Sequence, residues 1–235
     1  MIEPARRVIR AAERPITFSG AGLSAESGVP TFRDAATAGL WTKVDPTRLA
    51  SPEGFADDPE LVIGWYAQRR RRLAGLAPNP AHHALAARPD IAHITQNVDD
   101  LLERAGAERV LHLHGTLLED RCHGCSHREP ISLADPPPLR SCPRCGAPMR
   151  PGVVWFGESL PTTAWSQAET AAAACDVMIV IGTRAEVYPA AGLIDVARDA
   201  GAAIVVVNAE ACRASDRADH TLIGPAGTIV PALLA

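Results

Sequence analysis

Short apolar runs alternate with amphipathic segments along the chain. The apolar runs predict strands at residues 16–19, 91–95, 110–113, 177–181 and 203–207. Helical spacing of apolar positions predicts helices at residues 4–13, 61–76, 99–105, 163–174 and 190–200. Because uninterrupted apolar strands between helices are typical of a sheet covered on both faces, the pattern predicts an α/β fold with a doubly wound, Rossmann-like parallel sheet.

Residues 116–150 interrupt this pattern. The segment holds four cysteines and many prolines, and its apolar positions show little periodicity. We therefore predict a small inserted zinc-ribbon module at residues 116–150, within a dinucleotide-binding Rossmann-like domain formed by residues 1–115 and 151–235. Residues of about 35–80 are expected to add a helical insert that belongs to the smaller domain.

The composition limits the classes of partner. Of the 235 residues 47% are hydrophobic, and the net charge of −4 gives no overall cationic surface, so we expect no direct nucleic-acid partner. The first 14 residues lack the apolar core of a signal peptide, and no apolar run reaches the length of a membrane span. We therefore expect a cytoplasmic protein without a membrane partner, whose cysteines are metal ligands or free thiols.

Four of the cysteines form two Cys-x-x-Cys pairs. Cys122 and Cys125 make the first pair, and Cys142 and Cys145 make the second pair 16 residues later. This spacing is typical of a four-cysteine zinc site, which is a closed tetrahedral site with a structural role. Four unrelated thiols or a redox pair are less favoured alternatives.

A glycine loop follows the first predicted strand. Gly20, Ala21 and Gly22 begin a Gly-x-Gly-x-x-Ala segment, in which glycines let the backbone approach a pyrophosphate. The acidic residue that usually follows about 20 residues later in a dinucleotide fold is not evident. The loop therefore indicates phosphate binding more strongly than hydride transfer, and a tight strand–helix turn remains the alternative.

Several distinctive segments follow one another over nearly the whole chain. They are GAGLSAESGVPTFR at residues 20–33, TQNVD at 95–99, LHG at 113–115, the two cysteine pairs, VVWFGE at 153–158, Gly182-Thr183, VYPA at 187–190, and Val207-Asn208. In this order they resemble the signature segments of the sirtuin family. The resemblance implies an NAD-dependent protein-lysine deacylase that transfers the acyl group to ADP-ribose and releases nicotinamide. NAD as co-substrate, structural zinc and acylated-lysine proteins or peptides are the implied cofactors and partners.

The resemblance also implies roles for individual residues. His114 is expected to be the general base that takes a proton from a ribose hydroxyl; His112 lies two residues earlier, but His114 carries the glycine neighbour of the motif. Gln96 is expected to hold the ribose, Asn97 and Asp99 to position nicotinamide. The residues implied in NAD binding are Gly20, Ala21, Gly22, Phe32, Arg33, Gln96, Asn97, Asp99, Gly182, Thr183, Asn208 and Ala226.

Substrate binding is expected at two places. Val154, Trp155 and Phe156 are expected to offer a strand edge to the peptide, with a core strand as the alternative. Tyr66 and Arg69 lie three residues apart on a predicted helix, so both side chains share one face and can hold a carboxylate together.

The sirtuin subgroup that resembles this chain uses such a Tyr-x-x-Arg pair for acidic acyl groups. We therefore expect succinyl-, malonyl- and glutaryl-lysine to be preferred, while acetyl-lysine stays possible. The alternatives are a solvated face formed by the arginine run, a general lysine deacetylase, or an NAD-dependent protein ADP-ribosyltransferase. One departure concerns Arg184, since the family usually has serine there; a cation at this position adds a phosphate contact or crowds the site.

Overall fold

The structure is a computed structural model that describes residues 2–30 and 46–235. Two residues expected to bind NAD, Phe32 and Arg33, lie outside the described residues.

A six-stranded parallel sheet forms the larger part of the molecule. Its strands are β1 (Pro15–Ser19), β2 (Ala92–Thr95), β3 (Val110–His112), β7 (Val177–Ile181), β8 (Ala203–Asn208) and β9 (His220–Ile223). They lie in the order β3-β2-β1-β7-β8-β9, and every pairing is parallel. The predicted doubly wound α/β fold is therefore confirmed, with the strand order reversing between β1 and β7.

The helices begin at strong local signals. Within the described residues they are α1 (Ile2–Ala11), α2 (Pro46–Leu49), α3 (Pro52–Asp57), α4 (Pro59–Ala74), α5 (Pro80–Ala86), α6 (Leu101–Arg104), α7 (Thr162–Ala174), α8 (Leu193–Asp199) and α9 (Ala226–Leu234). The side chains of Ser51, Asp58 and Asn79 cap α3, α4 and α5, each of which has proline as its first residue. Proline fits there because the first helical N–H has no partner within the helix.

Both faces of the parallel sheet are buried, which explains its continuous apolar strands. Along β7, Met178 and Val180 pack into one apolar cluster, and Ile179 and Ile181 pack into another on the opposite face. Residues of α7 and α8 complete the first cluster, and residues of α1, α5 and α9 complete the second.

A smaller, antiparallel sheet follows β3 directly. It contains β4 (Gly115–Cys122), β5 (Arg128–Pro130) and β6 (Met149–Val153) in the order β5-β4-β6. Helix α4 packs on this sheet through a third apolar cluster, which includes Tyr66 and Trp155. The domain boundaries drawn from the sequence, including the helical insert at about 35–80, stay a prediction.

Two elements of the structure differ from those predicted. β9 was not predicted, because its side chains are mixed and only Leu222 is buried. The predicted helix at 190–200 is a 3-10 turn at Ala190–Gly192 followed by α8. Within the described part of the chain, no helix is long and apolar enough to cross a membrane.

The loops that leave β1 and β7 touch through their backbones. Gly20 N–H donates to Ile181 O at 3.0 Å, and Gly22 N–H donates to Gly182 O at 2.9 Å. A Cβ atom added to Gly22 would lie 2.6 Å from Gly182 Cα, so a side chain does not fit between the two loops. Gly182 also has a φ of 60°, in the region that favours glycine.

Gly22→Ala is expected to lower the free energy of unfolding by roughly 2 kcal/mol or more, because overpacked sites cost about 1–3 kcal/mol. For a chain of this length the melting temperature should fall by roughly 4–8 °C in a thermal denaturation experiment. Gly64→Ala is the matched control, since a Cβ at this exposed position in α4 meets nothing within 4 Å. The control should leave stability unchanged or raise it by up to about 1 kcal/mol; an equal loss in both variants would contradict the steric argument.

Candidate active site and metal centre

The glycine loop lies at the carboxyl end of β1, at the reversal of strand order. After Gly20 the chain forms two short 3-10 turns, at Ala21–Leu23 and Ala25–Ser27, and no other helix begins among the described residues up to Pro30. The loop is tied to α9, because Gly227 N–H donates to the Glu26 carboxylate at 2.7 Å. This contact also brings Ala226, the first residue of α9, beside the loop. Backbone N–H groups in such a turn can bind phosphate oxygens.

A buried polar cluster supports the loop from below. Ser24 Oγ donates to Asp99 Oδ1 at 3.3 Å and accepts from Asn97 Nδ2 at 3.2 Å. His82 Nδ1 accepts from Asn79 N–H at 3.2 Å, so the Nε2 atom carries the proton and donates to Ser24 Oγ at 3.3 Å. One serine hydroxyl therefore joins three side chains from two other segments.

Burial disfavours the charged forms of the ionisable groups in this cluster. It lowers the pKa of His82 to about 4, and it raises the pKa of Asp99 against the opposing hydrogen bonds from Leu101 N–H and Ser24. The sequence alone singled out neither Ser24 nor His82 as a site residue. The only sequence signals for them were the position of Ser24 within the glycine segment and of His82 within the helix-capping segment that begins at Asn79.

The two histidines at the end of β3, His112 and His114, have different partners. His114 Nδ1 lies 3.0 Å from Gln96 O, which can only accept, so Nδ1 carries the proton. Its Nε2 has no hydrogen bond to any described residue and keeps its lone pair. Burial lowers the pKa of His114, although the bond to Gln96 opposes the shift, so the ring is neutral at pH 7.

His112 uses both of its ring nitrogens. Nδ1 lies 2.8 Å from Asn97 O, and Nε2 lies 2.7 Å from Glu103 Oε1. Burial opposes the charged ring, but the hydrogen bond and the attraction of Glu103 outweigh it and raise the pKa of His112. His112 therefore holds the chain around Asn97 in place, and only His114 offers a basic nitrogen.

Three further residues expected to bind NAD line the same edge of the sheet. Gln96 Nε2 donates to Thr183 Oγ1 at 3.0 Å, across the loops that follow β2 and β7. Asn208, at the end of β8, donates through Nδ2 to Thr183 O at 3.4 Å. The structure thus brings together the expected NAD residues that it describes. Their roles stay predictions.

Arg184, the departure from the family pattern, is held by acidic neighbours. Its Nε donates to Glu186 Oε1 at 3.2 Å, and its Nη1 lies 4.0 Å from Glu210 Oε2. Glu186 and Glu210 balance the charge of Arg184, whose side chain is half exposed.

The arginine run of α4 divides into three environments. Arg70 is 2% exposed and makes an ion pair of 2.9 Å with Asp120, plus hydrogen bonds to Leu117 O and Glu119 O. Arg71 and Arg72 are exposed. The alternative of one solvated basic face is therefore wrong for Arg70, which joins α4 to the smaller sheet.

Arg69 is partly buried and stacks on aromatic rings. Its guanidinium carbon lies 4.6 Å from the ring centroid of Trp65 and 5.7 Å from that of Tyr66. Burial lowers the pKa of Arg69, and electrostatic interactions with Tyr66 and Asp99 oppose the shift, so the cation lies within electrostatic reach of the polar cluster. It has no hydrogen bond or ion pair with a described residue.

The segment expected to bind the peptide already uses its backbone N–H groups. Val154 N–H donates to His114 O at 2.8 Å, Phe156 N–H to Ala50 O at 2.8 Å, and Trp155 N–H to the Glu158 carboxylate at 2.9 Å. A peptide strand beside this segment would have to bind its carbonyl groups. Trp155 is 2% exposed and belongs to the core, whereas Phe156 is 43% exposed.

The four cysteines of the smaller sheet converge on one point. All four Sγ atoms lie within 4.8 Å of one another, with Cys122 and Cys145 at 3.4 Å and Cys125 and Cys142 at 3.8 Å. A tetrahedral zinc ion with Zn–S bonds of about 2.3 Å requires S···S distances of about 3.8 Å, so the residues fit this ion.

The backbone around the cysteines also suits thiolate ligands. The N–H groups of Gly124 and Arg144 donate to the Sγ atoms of Cys122 and Cys142. His127 bonds to Glu129 at 2.7 Å and is not among the clustered ligand atoms. Four thiolates leave no open position for water or substrate, and the site is structural.

Comparison with known proteins agrees with this geometry. A model of the Sir2 family matches residues 20–189. NAD-dependent protein deacylase 1 of Pseudomonas aeruginosa is 48% identical over 97% of this chain and 95% of its own length. The NAD-dependent protein deacylase of Methylococcus capsulatus is 50% identical over 96% and 93%.

Solved structures of the same family superpose over the whole chain. A complex of a Sir2 homolog with NAD is 43% identical, covers 99% of this chain and 92% of its own, and has a TM-score of 0.92. A Sir2 protein bound to an acetylated peptide is 27% identical, covers 100% and 97%, and has a TM-score of 0.87.

Cys122→Ser is expected to remove bound zinc and to lower the melting temperature by roughly 10 °C, because the metal stabilises the folded smaller sheet. Zinc would be measured by atomic emission on purified protein. Cys175→Ser is the matched control, since this thiol is equally buried but lies outside the cluster, and it should retain one zinc per chain. A Cys122→Ser protein that lacks zinc and melts like the unaltered chain would contradict a structural role.

Proposed function

Since the chain belongs to the Sir2 family and is an NAD-dependent protein deacylase, we propose that it prefers lysines whose acyl group ends in a carboxylate. Succinyl-, malonyl- and glutaryl-lysine are the substrates of this type. The observation that carries the proposal is Arg69, a partly buried cation beside Tyr66 that makes no hydrogen bond or ion pair with a described residue.

The contrast with the next residue explains why Arg69 fits this role. Arg70 satisfies its charge inside the protein through Asp120 and two carbonyl groups. A buried cation without a counter-ion is unfavourable, so a carboxylate that reaches Arg69 gains a charge-assisted, two-pronged hydrogen bond. Tyr66, one turn earlier on the same face, adds a hydroxyl. An acetyl group is uncharged and has no carboxylate to bind either side chain.

The acyl pocket lies beside the expected nicotinamide site. Tyr66, Trp155 and Val98 share one apolar cluster, and Val98 sits between Asn97 and Asp99 in the chain. An acyl-lysine that enters along this cluster would place its carbonyl near the polar residues and its far end near Arg69.

NAD supplies the ribose carbon that receives the acyl oxygen, with nicotinamide as the leaving group. The glycine loop is expected to bind the phosphates through N–H groups other than those of Gly20 and Gly22, which bond to Ile181 O and Gly182 O. Gln96 and Asn208 offer amides for ribose hydroxyls. Asn97 and Asp99 present a buried amide and carboxyl group for the carboxamide of nicotinamide.

His114 supplies the basic nitrogen of the site. Its proton stays on Nδ1, held by Gln96 O, and its Nε2 lone pair can take a proton from a ribose hydroxyl. The same bond orients the ring, so Gln96 has a second task besides ribose binding.

Deacetylation is a second candidate activity, supported by the similar Sir2 structure that binds an acetylated peptide. The two activities are compatible, since an acetyl group leaves the Arg69 end of the pocket to water.

The acyl preference is tested with peptides that differ only in acetyl or succinyl on one lysine. Arg69→Met should lower kcat/KM for the succinyl peptide on the order of 10- to 100-fold, because a hydrogen bond to a charged group contributes about 1.5–3 kcal/mol. The acetyl peptide should be affected far less. Arg71→Met is the matched control on the exposed side of α4. Faster acetyl removal in the unaltered chain, with little change in Arg69→Met, would refute the preference.

The general-base assignment is tested by the pH dependence of kcat/KM. His114 acts as a base only when neutral, and burial lowers its pKa below 6.5, so activity should fall only as pH drops through a value lower than 6.5. His114→Ala should reduce turnover by about 10²- to 10⁴-fold and keep NAD binding. His112→Gln should retain the acid limb. An acid limb that survives in His114→Ala would assign it to another group.

A further inference from the structure

A row of contacts leads from the ion pair of Arg150 and Glu158 through Trp155 to the Tyr66 hydroxyl. We propose that Trp155 is a positioning residue that directs the Tyr66 hydroxyl proton into the acyl pocket and so determines part of the selectivity for acidic acyl groups. The inference rests on the proposed function, because it concerns the same pocket.

The hydrogen bond between Trp155 and Tyr66 has a fixed direction. Trp155 Nε1 lies 3.0 Å from Tyr66 Oη, and an indole N–H can only donate. The Tyr66 oxygen is therefore the acceptor, and its own proton must go elsewhere. No described residue accepts that proton, and burial raises the pKa of Tyr66, so the phenol remains a donor at neutral pH.

The O–H bond of Tyr66 has few alternative orientations. Its O–H lies in the plane of the ring, which leaves two orientations, and the indole N–H approaches one side of the oxygen. Tyr66 is 3% exposed and Trp155 is 2% exposed, so water does not compete freely for this contact. A carboxylate at Arg69 then meets a hydroxyl that is already turned for donation, which reduces the ordering cost of binding.

Arg150 and Glu158 hold the indole of Trp155 in place. The guanidinium carbon of Arg150 lies 3.8 Å from the Trp155 ring centroid, and Arg150 is fully buried. Glu158 pairs with Arg150 and Arg121 and accepts the backbone N–H of Trp155. A cation over the ring draws electron density from the indole and strengthens its N–H as a donor.

Selectivity follows from where the donors meet. Arg69 stacks on Trp65, and the Trp65 ring stands edge-on to Tyr66 at an interplanar angle of 86°. The guanidinium and the phenol therefore belong to one packed unit on α4. A terminal carboxylate uses both donors, and an acetyl methyl group uses neither.

A double-mutant cycle tests whether Trp155 acts through Tyr66. The readout is the ratio of kcat/KM for succinyl over acetyl peptide in Tyr66→Phe, Trp155→Phe and the double variant, with NAD at saturation. Each single change should lower the ratio by about five- to tenfold. The double variant should lower it no further than Tyr66→Phe alone. Trp165→Phe, a partly buried tryptophan of α7, is the matched control and should keep the ratio.

The outcomes separate this inference from the proposed function. If the unaltered chain shows no succinyl preference, or Arg69→Met leaves that preference intact, the proposed function fails. If the preference is present but Trp155→Phe retains it, or the two changes multiply independently, the positioning role is overturned.

Nuclear magnetic resonance keeps the test available if Trp155→Phe does not fold. The chain has four tryptophans and thus four indole N–H signals. Tyr66→Phe should shift one of them upfield and speed its exchange with water, since the acceptor is lost. Succinyl peptide should move the same signal in the unaltered chain more than acetyl peptide does. Four unchanged signals in Tyr66→Phe would overturn the inference.

Discussion

The contact between the backbones of Gly22 and Gly182 is the constraint on which the site depends. It joins the loops that leave β1 and β7, the two strands on either side of the reversal in strand order. Because no side chain fits there, the two loops share one narrow edge, and Gln96 reaches Thr183 across it. A dinucleotide site needs this closeness, since phosphates must approach backbone N–H groups. The order of the sheet and the chemistry of the site are therefore set by the same packing.

Burial sorts the ionisable groups into two kinds. Beside the glycine loop, burial disfavours the charged forms of His82 and Asp99, which share the Ser24 hydroxyl. In the smaller sheet, by contrast, buried charges survive because they are paired, as in Arg70 with Asp120. Against that background a partly buried cation such as Arg69 is conspicuous. Leaving a buried charge unpaired is energetically unfavourable, and this is why Arg69 is informative about the ligand.

Much of the fold was predictable from local pattern. Strands buried on both faces read as apolar runs, so β1, β2, β3, β7 and β8 were found, while β9 was not because its exposed and buried side chains mix. The zinc ligands were also predictable, because each Cys-x-x-Cys pair is a local structure that places two thiolates on one ion. Ser24 was not selected, because a serine shows its role only when Asn97 and Asp99 are folded against it.

The sequence by itself determined the parallel sheet, the glycine loop, the zinc ligands and the family, since each is written in residues close together in the chain. Only the tertiary structure decided which of two histidines keeps a ring nitrogen without a hydrogen bond to a described residue, which of four successive arginines lies partly buried beside Tyr66, and that Trp155 donates to Tyr66. The last contact joins residues 89 positions apart. Such choices depend on which groups burial brings together and what each must bond to once water is excluded, and no local spacing encodes them.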